Sequence, residues 1–268
     1  MILIDETLLY FLLFLSISTV LYFTVPKFKL AVATILFTFS VLVTSIVGLF
    51  IAIPTGDSAN YYVARFMSAF AGGLLNIRYQ VDGKVLDEPA VYICNHQSSI
   101  DLLAIGTVFP KKCSMLAKDE LKYYPILGWY MILSKAVFIK RKNRTDAIET
   151  MQNVGLKIKK DKTSLFLFPE GTRSFQKDNS LLPFKKGAFH LAVSGQIPIV
   201  PIVVSTFHNV FPDGGLIRVK VLPPIATAGL TASNIDSLIE NTRNSMLTTL
   251  KEISEPVTDL SDETKKDI

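Results

Sequence analysis

The chain is poor in cysteine and histidine, with two cysteines and three histidines among 268 residues. Two cysteines in a chain of this length do not make a disulfide framework. The sequence has no Cys-x-x-Cys pair and no His/Cys spacing typical of metal ligands, so we predict no structural metal. Cys94 lies in an apolar run, which is typical of a small buried residue rather than of a nucleophile.

Charged residues are absent from two long stretches near the N-terminus, residues 7–25 and 30–53. As helices these stretches would span roughly 28 and 36 Å, close to the ~30 Å hydrocarbon core of a bilayer. The basic leader of a secretory signal peptide is missing, because Asp5 and Glu6 occupy its place. Both stretches are apolar on all sides, so the pattern favours a membrane-anchoring helical hairpin at residues 1–56 over two buried core helices.

Positive charge is concentrated in one part of the chain, whose formal net charge is +5. Residues 111–162 contain 13 Lys or Arg residues and 5 Asp or Glu residues. Such an excess suits an anionic membrane surface, phosphate headgroups or a polyphosphate cofactor. The alternative for most of these lysines is an ordinary solvated face. We predict a phospholipid membrane as a partner and no nucleic acid.

Strands and helices alternate from about residue 77 onward. The pattern predicts strands at 77–81, 90–94, 114–117, 136–139, 164–168, 197–204 and 218–222, and helices at 102–108, 144–160, 189–194 and 233–253. Continuous apolar strands separated by helices predict an α/β domain with a mixed, largely parallel sheet flanked by helices, covering residues 77–253. Aromatic residues at 57–76 favour an interfacial helix. Residues 254–268 are polar, and we expect them to be disordered.

Asn95 to Asp101 directly follow a predicted strand, where ligands bind in sheets of this kind. If His96 lies in the turn and Asp101 on the first helical turn, the two side chains can meet. The carboxylate would then bond one ring nitrogen and leave the other free to take a proton. The alternative is a histidine that caps the helix and an aspartate that faces solvent.

Phe168 to Ser174 follow another buried strand. Gly171 permits a close approach or a positive φ. Backbone N–H groups and Arg173 suit phosphate oxygens. The alternative is an ordinary turn with a surface ion pair between Glu170 and Arg173.

Taken in order, these segments resemble the 1-acylglycerol-3-phosphate acyltransferases, also called lysophosphatidic acid acyltransferases, and fungal members most closely. The resemblance covers roughly residues 79–222. It rests on Asn-His-Gln-Ser-Ser-Ile-Asp at 95–101, Phe-Pro-Glu-Gly-Thr-Arg at 168–173, and weaker matches at 116–121 and 182–189. One departure lies in the family's Gly-x-x-Phe-Ile-Asp-Arg element. In this chain Ser134 or Lys135 stands near the position of that glycine, and Lys140 replaces the aspartate, while Arg141 remains.

The resemblance implies a glycerolipid acyltransferase-like fold and a transfer from acyl-CoA, as co-substrate, to lysophosphatidic acid. No permanently bound cofactor is expected. His96 and Asp101 would be catalytic. The substrate-binding residues would be Asn95, Lys118, Arg141, Glu170, Gly171, Thr172 and Arg173. No Ser or Cys is placed beside His96 as an obvious covalent nucleophile, so we expect direct attack of the acceptor hydroxyl on the thioester.

Two other functions stay open from the sequence. One is a related acyltransferase that uses glycerol-3-phosphate or another lysophospholipid, and the other is a non-catalytic phospholipid-binding membrane protein. Lys265 and Lys266 resemble a dilysine signal, which indicates the endoplasmic reticulum membrane, or a lipid droplet, with the catalytic domain facing the cytosol. If both apolar stretches crossed the membrane, a cytosolic tail would place Lys27 and Lys29 in the lumen, against the positive-inside tendency. A hairpin embedded in one leaflet avoids that conflict.

Overall fold

The computed structural model of the protein describes residues 6–139, 144–174, 178–207 and 210–254. It begins with two helices, α1 (Glu6–Thr24) and α2 (Pro26–Thr55). Val25 between them has an extended backbone, with φ −116° and ψ 100°, as expected for a residue that precedes proline. Both helices coincide closely with the two predicted apolar stretches.

The helix α2 is 30 residues long and, among the described helices, is the one with the length and apolarity to cross a membrane. The helix α1 contributes a shorter apolar stretch, Leu13–Thr24. Large apolar side chains on α2 face outward; Phe50 is 73% exposed and Ile53 is 72% exposed. Because exposed apolar surface of this extent is costly in water, α2 has the character of a membrane anchor.

The helix α3 (Ala59–Leu74) corresponds to the predicted interfacial helix, and it packs against both α2 and α4 (Asp101–Gly106). Its inner side is buried at Val63 and Ala71, whereas Tyr62 is exposed. The helix therefore belongs to the layer that covers one face of the sheet.

Seven strands form a single sheet. They are β1 (Ile77–Asp82), β2 (Val91–Cys94), β3 (Cys113–Lys118), β4 (Val137–Ile139), β5 (Ser164–Leu167), β6 (Ile199–Val204) and β7 (Gly215–Val221), in the order β1-β7-β6-β2-β5-β3-β4. Every neighbouring pair is parallel except β6 and β7. The predicted mixed, largely parallel sheet is confirmed.

Helices cover both faces of this sheet. Tyr92 and Cys94 of β2 pack in the cluster that includes α3 and α4, and Val91 and Ile93 pack in the cluster on the other face. That second layer consists of α6 (Arg144–Asp161), α7 (Gly187–Gly195) and α8 (Ile235–Ser254). All four β2 side chains are fully buried. Burying an apolar side chain of this size contributes about 1.5–3 kcal/mol, so β2 is held firmly from both sides.

Two elements between β3 and β4 have no counterpart in the sequence-based prediction. They are a 3₁₀ turn at Asp119–Tyr123 and the short helix α5 (Leu127–Leu133). Lys135, which follows α5, has φ +57°. This left-handed conformation favours glycine, and a lysine occupies it here.

Five adjacent strands, β6, β2, β5, β3 and β4, run in the same direction. Their carboxyl ends, from Val204 and Cys94 to Leu167, Lys118 and Ile139, therefore lie along one edge of the sheet. Loops at such an edge form the ligand site in open α/β sheets. The two segments singled out from the sequence follow β2 and β5, which are neighbours.

Candidate active site

His96 and Asp101 are in direct contact. The His96 Nδ1 lies 2.7 Å from the Asp101 Oδ2. His96 is in the loop after β2 and Asp101 is the first residue of α4, so the geometry required for the two side chains to meet is present. The same Oδ2 accepts hydrogen bonds from the backbone N–H groups of Gln97 at 2.7 Å and Ser98 at 3.0 Å. The loop therefore wraps around a single carboxylate oxygen.

The surroundings of the pair orient the imidazole. Burial raises the pKa of the fully buried Asp101 carboxyl, and the hydrogen bond from His96 opposes this shift. The His96 side chain is 16% exposed, and no described residue bonds its Nε2. With Nδ1 donating to Asp101, Nε2 keeps a lone pair that can accept a proton.

Phe168 stacks on His96. The two ring centroids are 3.8 Å apart and the rings are inclined by 13°. The hydrogen bond to Asp101 fixes the imidazole within its plane, and the stacked phenyl ring limits its tilt. The sequence pattern assigns no role to Phe168. The available signal is its position, one residue beyond β5, the strand next to β2, which His96 follows.

Glu170 holds the backbone of His96. Its Oε1 accepts from the His96 N–H at 2.7 Å and its Oε2 accepts from the Leu182 N–H at 3.0 Å. The Ser174 N–H donates to the His96 carbonyl at 2.8 Å. Glu170 is 2% exposed, and burial raises its pKa against the effect of these two amide donors. This buried carboxylate therefore organises the loops and is not part of a surface ion pair. The expected contact of Glu170 with the substrate stays a prediction.

Asn95 is likewise internal. Its Nδ2 donates to the Val204 carbonyl at 2.9 Å, and its Oδ1 accepts from the Val204 N–H at 2.8 Å. The side chain is fully buried, so both amide atoms join the ends of β2 and β6. In the structure Asn95 joins the two strand ends beneath the loop, and its expected role in substrate binding stays a prediction.

The expected phosphate-binding residues lie at the same edge of the sheet. Thr172 and Arg173 are exposed between Glu170 and Ser174, and Lys118 is exposed at the end of β3. Arg141 falls outside the described residues. Gly171 has φ +69°, as its position in a tight turn favours.

Lys185 is a further cation at this place. A Cβ atom built on Gly171 would lie 2.8 Å from Cδ, Cε and Nζ of Lys185, so the lysine side chain extends over the glycine. The Lys185 N–H also donates to the Pro169 carbonyl at 2.8 Å. The sequence-based set omits Lys185, although the segment 182–189 that contains it belongs to the family resemblance. Glycine at 171 thus leaves room for the Lys185 side chain over the loop that carries Arg173.

Neither Cys94 nor Ser98 is placed as a nucleophile for His96 to activate. Cys94 is fully buried, and burial raises the pKa of its thiol. The Ser98 Oγ accepts from the Ile100 N–H at 3.0 Å within the loop. The arrangement therefore suits a base that acts on an external hydroxyl.

Comparisons with known proteins agree on one enzyme class. The family model described as Acyltransferase matches residues 76–205. The chain is 43% identical over 201 residues to a 1-acyl-sn-glycerol-3-phosphate acyltransferase of Saccharomyces cerevisiae, which covers 72% of this chain and 64% of that protein. It is 40% identical over 204 residues to 1-acyl-sn-glycerol-3-phosphate acyltransferase alpha of Homo sapiens, with 73% of this chain and 71% of the human protein covered.

A third relative, an uncharacterized acyltransferase of Schizosaccharomyces pombe, is 40% identical over 204 residues, and the match covers 73% of each chain. Among solved structures, the 1-acyl-sn-glycerophosphate (LPA) acyltransferase PlsC from Thermotoga maritima superposes with a TM-score of 0.63. That match has 25% sequence identity and covers 86% of this chain and 99% of the bacterial chain.

Proposed function

The chain belongs to the 1-acyl-sn-glycerol-3-phosphate acyltransferases, and from this membership we propose that it transfers an acyl group from acyl-CoA to the free sn-2 hydroxyl of 1-acylglycerol-3-phosphate. The product would be phosphatidic acid. The observation that carries the chemistry is the 2.7 Å contact between the His96 Nδ1 and the Asp101 Oδ2. It leaves the His96 Nε2 as a base beside the loops that carry Arg173 and Lys185.

In the proposed reaction, the His96 Nε2 takes the proton of the acceptor hydroxyl as its oxygen attacks the thioester carbonyl. A new C–O bond forms, and the carbonyl becomes a tetrahedral oxyanion. Collapse of this oxyanion breaks the C–S bond, and the departing thiolate takes the proton from His96. Asp101 stabilises the imidazolium in between. The burial of Cys94 and the hydrogen bond that the Ser98 Oγ accepts from the Ile100 N–H support direct transfer without an acyl-enzyme.

Binding of the acceptor phosphate is proposed for Arg173, Lys185 and Lys118. Arg173 immediately precedes Ser174, whose N–H bonds the His96 carbonyl. A guanidinium suits two phosphate oxygens at once, and the lysines add point charge. Because Arg173 and the base belong to loops bonded to each other, phosphate binding at Arg173 would present the glycerol hydroxyl to Nε2.

The proposed location is the endoplasmic reticulum membrane, or a lipid droplet, with the catalytic domain facing the cytosol. The length and apolarity of α2 support attachment to a membrane, and acyl-CoA is a cytosolic compound. Protease protection of a C-terminal tag in sealed microsomes tests the orientation. A tag digested without detergent supports it, and a protected tag contradicts it.

The activity itself is tested with the purified full-length chain in detergent. Acyl-CoA is offered with 1-acylglycerol-3-phosphate, glycerol-3-phosphate or a lysophospholipid with a larger headgroup, and released CoA thiol and lipid product are measured. We expect rapid formation of phosphatidic acid and little product from the other acceptors. Faster turnover of glycerol-3-phosphate or of another lysophospholipid would replace the proposed acceptor. Thiol release without any acceptor measures background hydrolysis.

A further inference from the structure

A group of exposed apolar side chains lies between β3 and β4, on and just before α5. We call Tyr123, Tyr124, Trp129, Ile132 and Leu133 the α5 patch; their exposed fractions are 74%, 57%, 57%, 53% and 41%. The catalytic reaction described above uses none of them. Tyrosine and tryptophan are the side chains most enriched where a membrane meets water.

The α5 patch lies beside the apolar helix α2. A Cβ atom built on Gly48 would come 2.6 Å from Cδ2 of Tyr130, and one on Gly56 would come 3.6 Å from Cε of Lys135. The segment 130–135 therefore runs along the C-terminal part of α2. In that part of α2, Ile46, Phe50 and Ile53 are also exposed, by 40%, 73% and 72%. If α2 lies in a bilayer, the adjacent patch lies at the depth of its C-terminal part.

Buried polar contacts fix α5 to the catalytic domain. The Asn60 Nδ2 donates to the Ser134 carbonyl at 3.0 Å and to the Cys113 carbonyl at 3.1 Å. The Tyr130 hydroxyl donates to the Asn60 Oδ1 at 2.7 Å. Asn60 is 6% exposed. Because α3, β3 and α5 meet at this one amide, the patch cannot fold back to hide its apolar surface without breaking several hydrogen bonds.

Lysines border the patch. Lys122 places its Nζ 5.0 Å from the centre of the Tyr123 ring, and it also pairs with Asp119. Lys118 and Lys135 are exposed on either side of the segment. The segment 118–135 thus contains these three lysines and two acidic residues, Asp119 and Glu120. In a bilayer, the apolar side chains at the centre of the patch would contact lipid acyl chains, and the lysines at its rim would contact anionic headgroups.

We propose that the α5 patch inserts into the lipid bilayer alongside α2, so that the catalytic domain itself is seated in the membrane surface. The partner is the bilayer, not a second protein chain. This proposal takes from the proposed function only the placement of α2 in a membrane. It adds a second attachment, which comes later in the chain than α2 and sets the depth of the catalytic domain in the membrane.

Trp129 is the single tryptophan of the chain, so its fluorescence reports on the patch without labelling. The full-length protein is reconstituted into vesicles of phosphatidylcholine and phosphatidylglycerol whose acyl chains carry bromine near their midpoints. We expect the emission of Trp129 to shift to the blue and to lose most of its intensity relative to vesicles without bromine. Quenching by iodide in the aqueous phase should be weak.

Two reporters in a Trp129→Phe background provide matched controls. Phe50→Trp places the fluorophore on α2, and Leu156→Trp places it at an exposed site on α6, on the opposite face of the sheet. We expect bromine to quench the α2 reporter and to spare the α6 reporter. Quenching of Phe50→Trp with no quenching of Trp129 would overturn the α5 proposal and leave the anchor intact. Quenching of neither would overturn both.

The remaining outcomes are equally decisive. Equal quenching of Trp129 and of the α6 reporter would show nonspecific contact with lipid and overturn the proposal. Protection of Trp129 from both bromine and iodide would show that another protein surface covers the patch, and would also overturn it. Replacing Ile132 and Leu133 together by Asn should reduce the quenching of Trp129, whereas Leu156→Asn should leave it unchanged.

Discussion

The Nδ1 of His96 is one of three donors that converge on the Oδ2 of Asp101, at a distance of 2.7 Å. The other two are the amides of Gln97 and Ser98, so the carboxylate holds the loop that carries the histidine as well as its ring. Asp101 is fully buried, and burial raises the pKa of its carboxyl because desolvation disfavours the ionised form. A buried carboxyl of this kind is expected where orientation of a base matters more than stability.

Replacement of His96 by alanine tests the base directly. We expect turnover to fall by about 10²–10⁴ because general-base assistance is typically worth that much. His190→Ala is the matched control, because His190 lies on α7 in the opposite layer. Initial rates with 1-acylglycerol-3-phosphate are measured at saturating acyl-CoA. A His96→Ala enzyme that stays within tenfold of wild type would remove His96 from the base role.

Asp101→Asn separates stability from activity. The asparagine cannot stabilise the imidazolium, so turnover should fall by roughly 10³–10⁴. Burial raises the pKa of Asp101 in the folded state. Its contribution to stability is therefore complete below the ordinary carboxyl pKa of about 3.9 and is lost as pH rises through the raised value.

The Asp101→Asn variant does not lose stability in this way, because asparagine does not titrate. The melting temperature of the variant relative to wild type should rise as pH increases above about 4, and it should level off above the raised pKa of Asp101. Thermal unfolding of both proteins in one detergent across this range provides the measurement. A variant whose relative stability declines as pH rises would contradict the assigned direction.

Phe168→Leu tests the stacked ring. The leucine keeps apolar bulk but removes the face that packs 3.8 Å from the imidazole. Aromatic stacking is worth about 0.5–1.5 kcal/mol, so kcat should fall by up to about tenfold while the KM for both substrates changes little. Phe168→Tyr should restore kcat. If leucine raised KM and left kcat alone, Phe168 would be a binding residue and not a positioning residue.

Arg173→Ala tests phosphate recognition. Loss of charge-assisted hydrogen bonds should raise the KM for 1-acylglycerol-3-phosphate by roughly tenfold to a hundredfold and leave the KM for acyl-CoA nearly unchanged. Lys185→Ala should act in the same direction to a smaller extent. Arg78, exposed on β1 at the far edge of the sheet, supplies the matched Arg→Ala control. An unaltered acceptor KM in Arg173→Ala would reject its contact with phosphate.

Lys135→Gly should stabilise the protein. A non-glycine residue at φ +57° costs about 1–2 kcal/mol in backbone energy. Glycine also gives the unfolded chain more conformational freedom, which offsets roughly 0.5–1 kcal/mol of the strain that is relieved. The net increase in the free energy of unfolding should be roughly 0.5–1 kcal/mol. Lys135→Ala removes the same side chain and keeps the strain, so it should give no gain. Equal melting temperatures for the two variants would show that strain is not the cause.

Much of the sheet could be predicted because its strands are buried on both faces and appear as continuous apolar runs. The helix α5 could not be predicted in this way. Its seven residues, Leu127–Leu133, are too short and too uniformly apolar to show a helical period. Packing supplies the missing information, because Tyr130 lies against Gly48 and bonds Asn60, and both partners are far away in the chain.

The same limit applies within the site. His96 and Asp101 are five residues apart, so their meeting could be inferred from a local turn. Asn95 bonds Val204, 109 residues away, and Glu170 bonds His96, 74 residues away. A motif shows that such residues matter but does not show which way they face. The motifs assign both residues to the substrate, and the structure adds that both bond the backbone of neighbouring segments.

The bonds that the segment 170–174 makes to both backbone groups of His96 constrain how such an enzyme can be altered. The Glu170 carboxylate accepts from the His96 amide and the Ser174 amide donates to the His96 carbonyl, so the proposed headgroup recognition and the proposed proton transfer depend on the same segment. A redesign of this segment for a different polar head would also displace the imidazole. New acceptor preference is therefore more readily sought at Lys118 or Lys185, whose side chains can be exchanged without loosening the base.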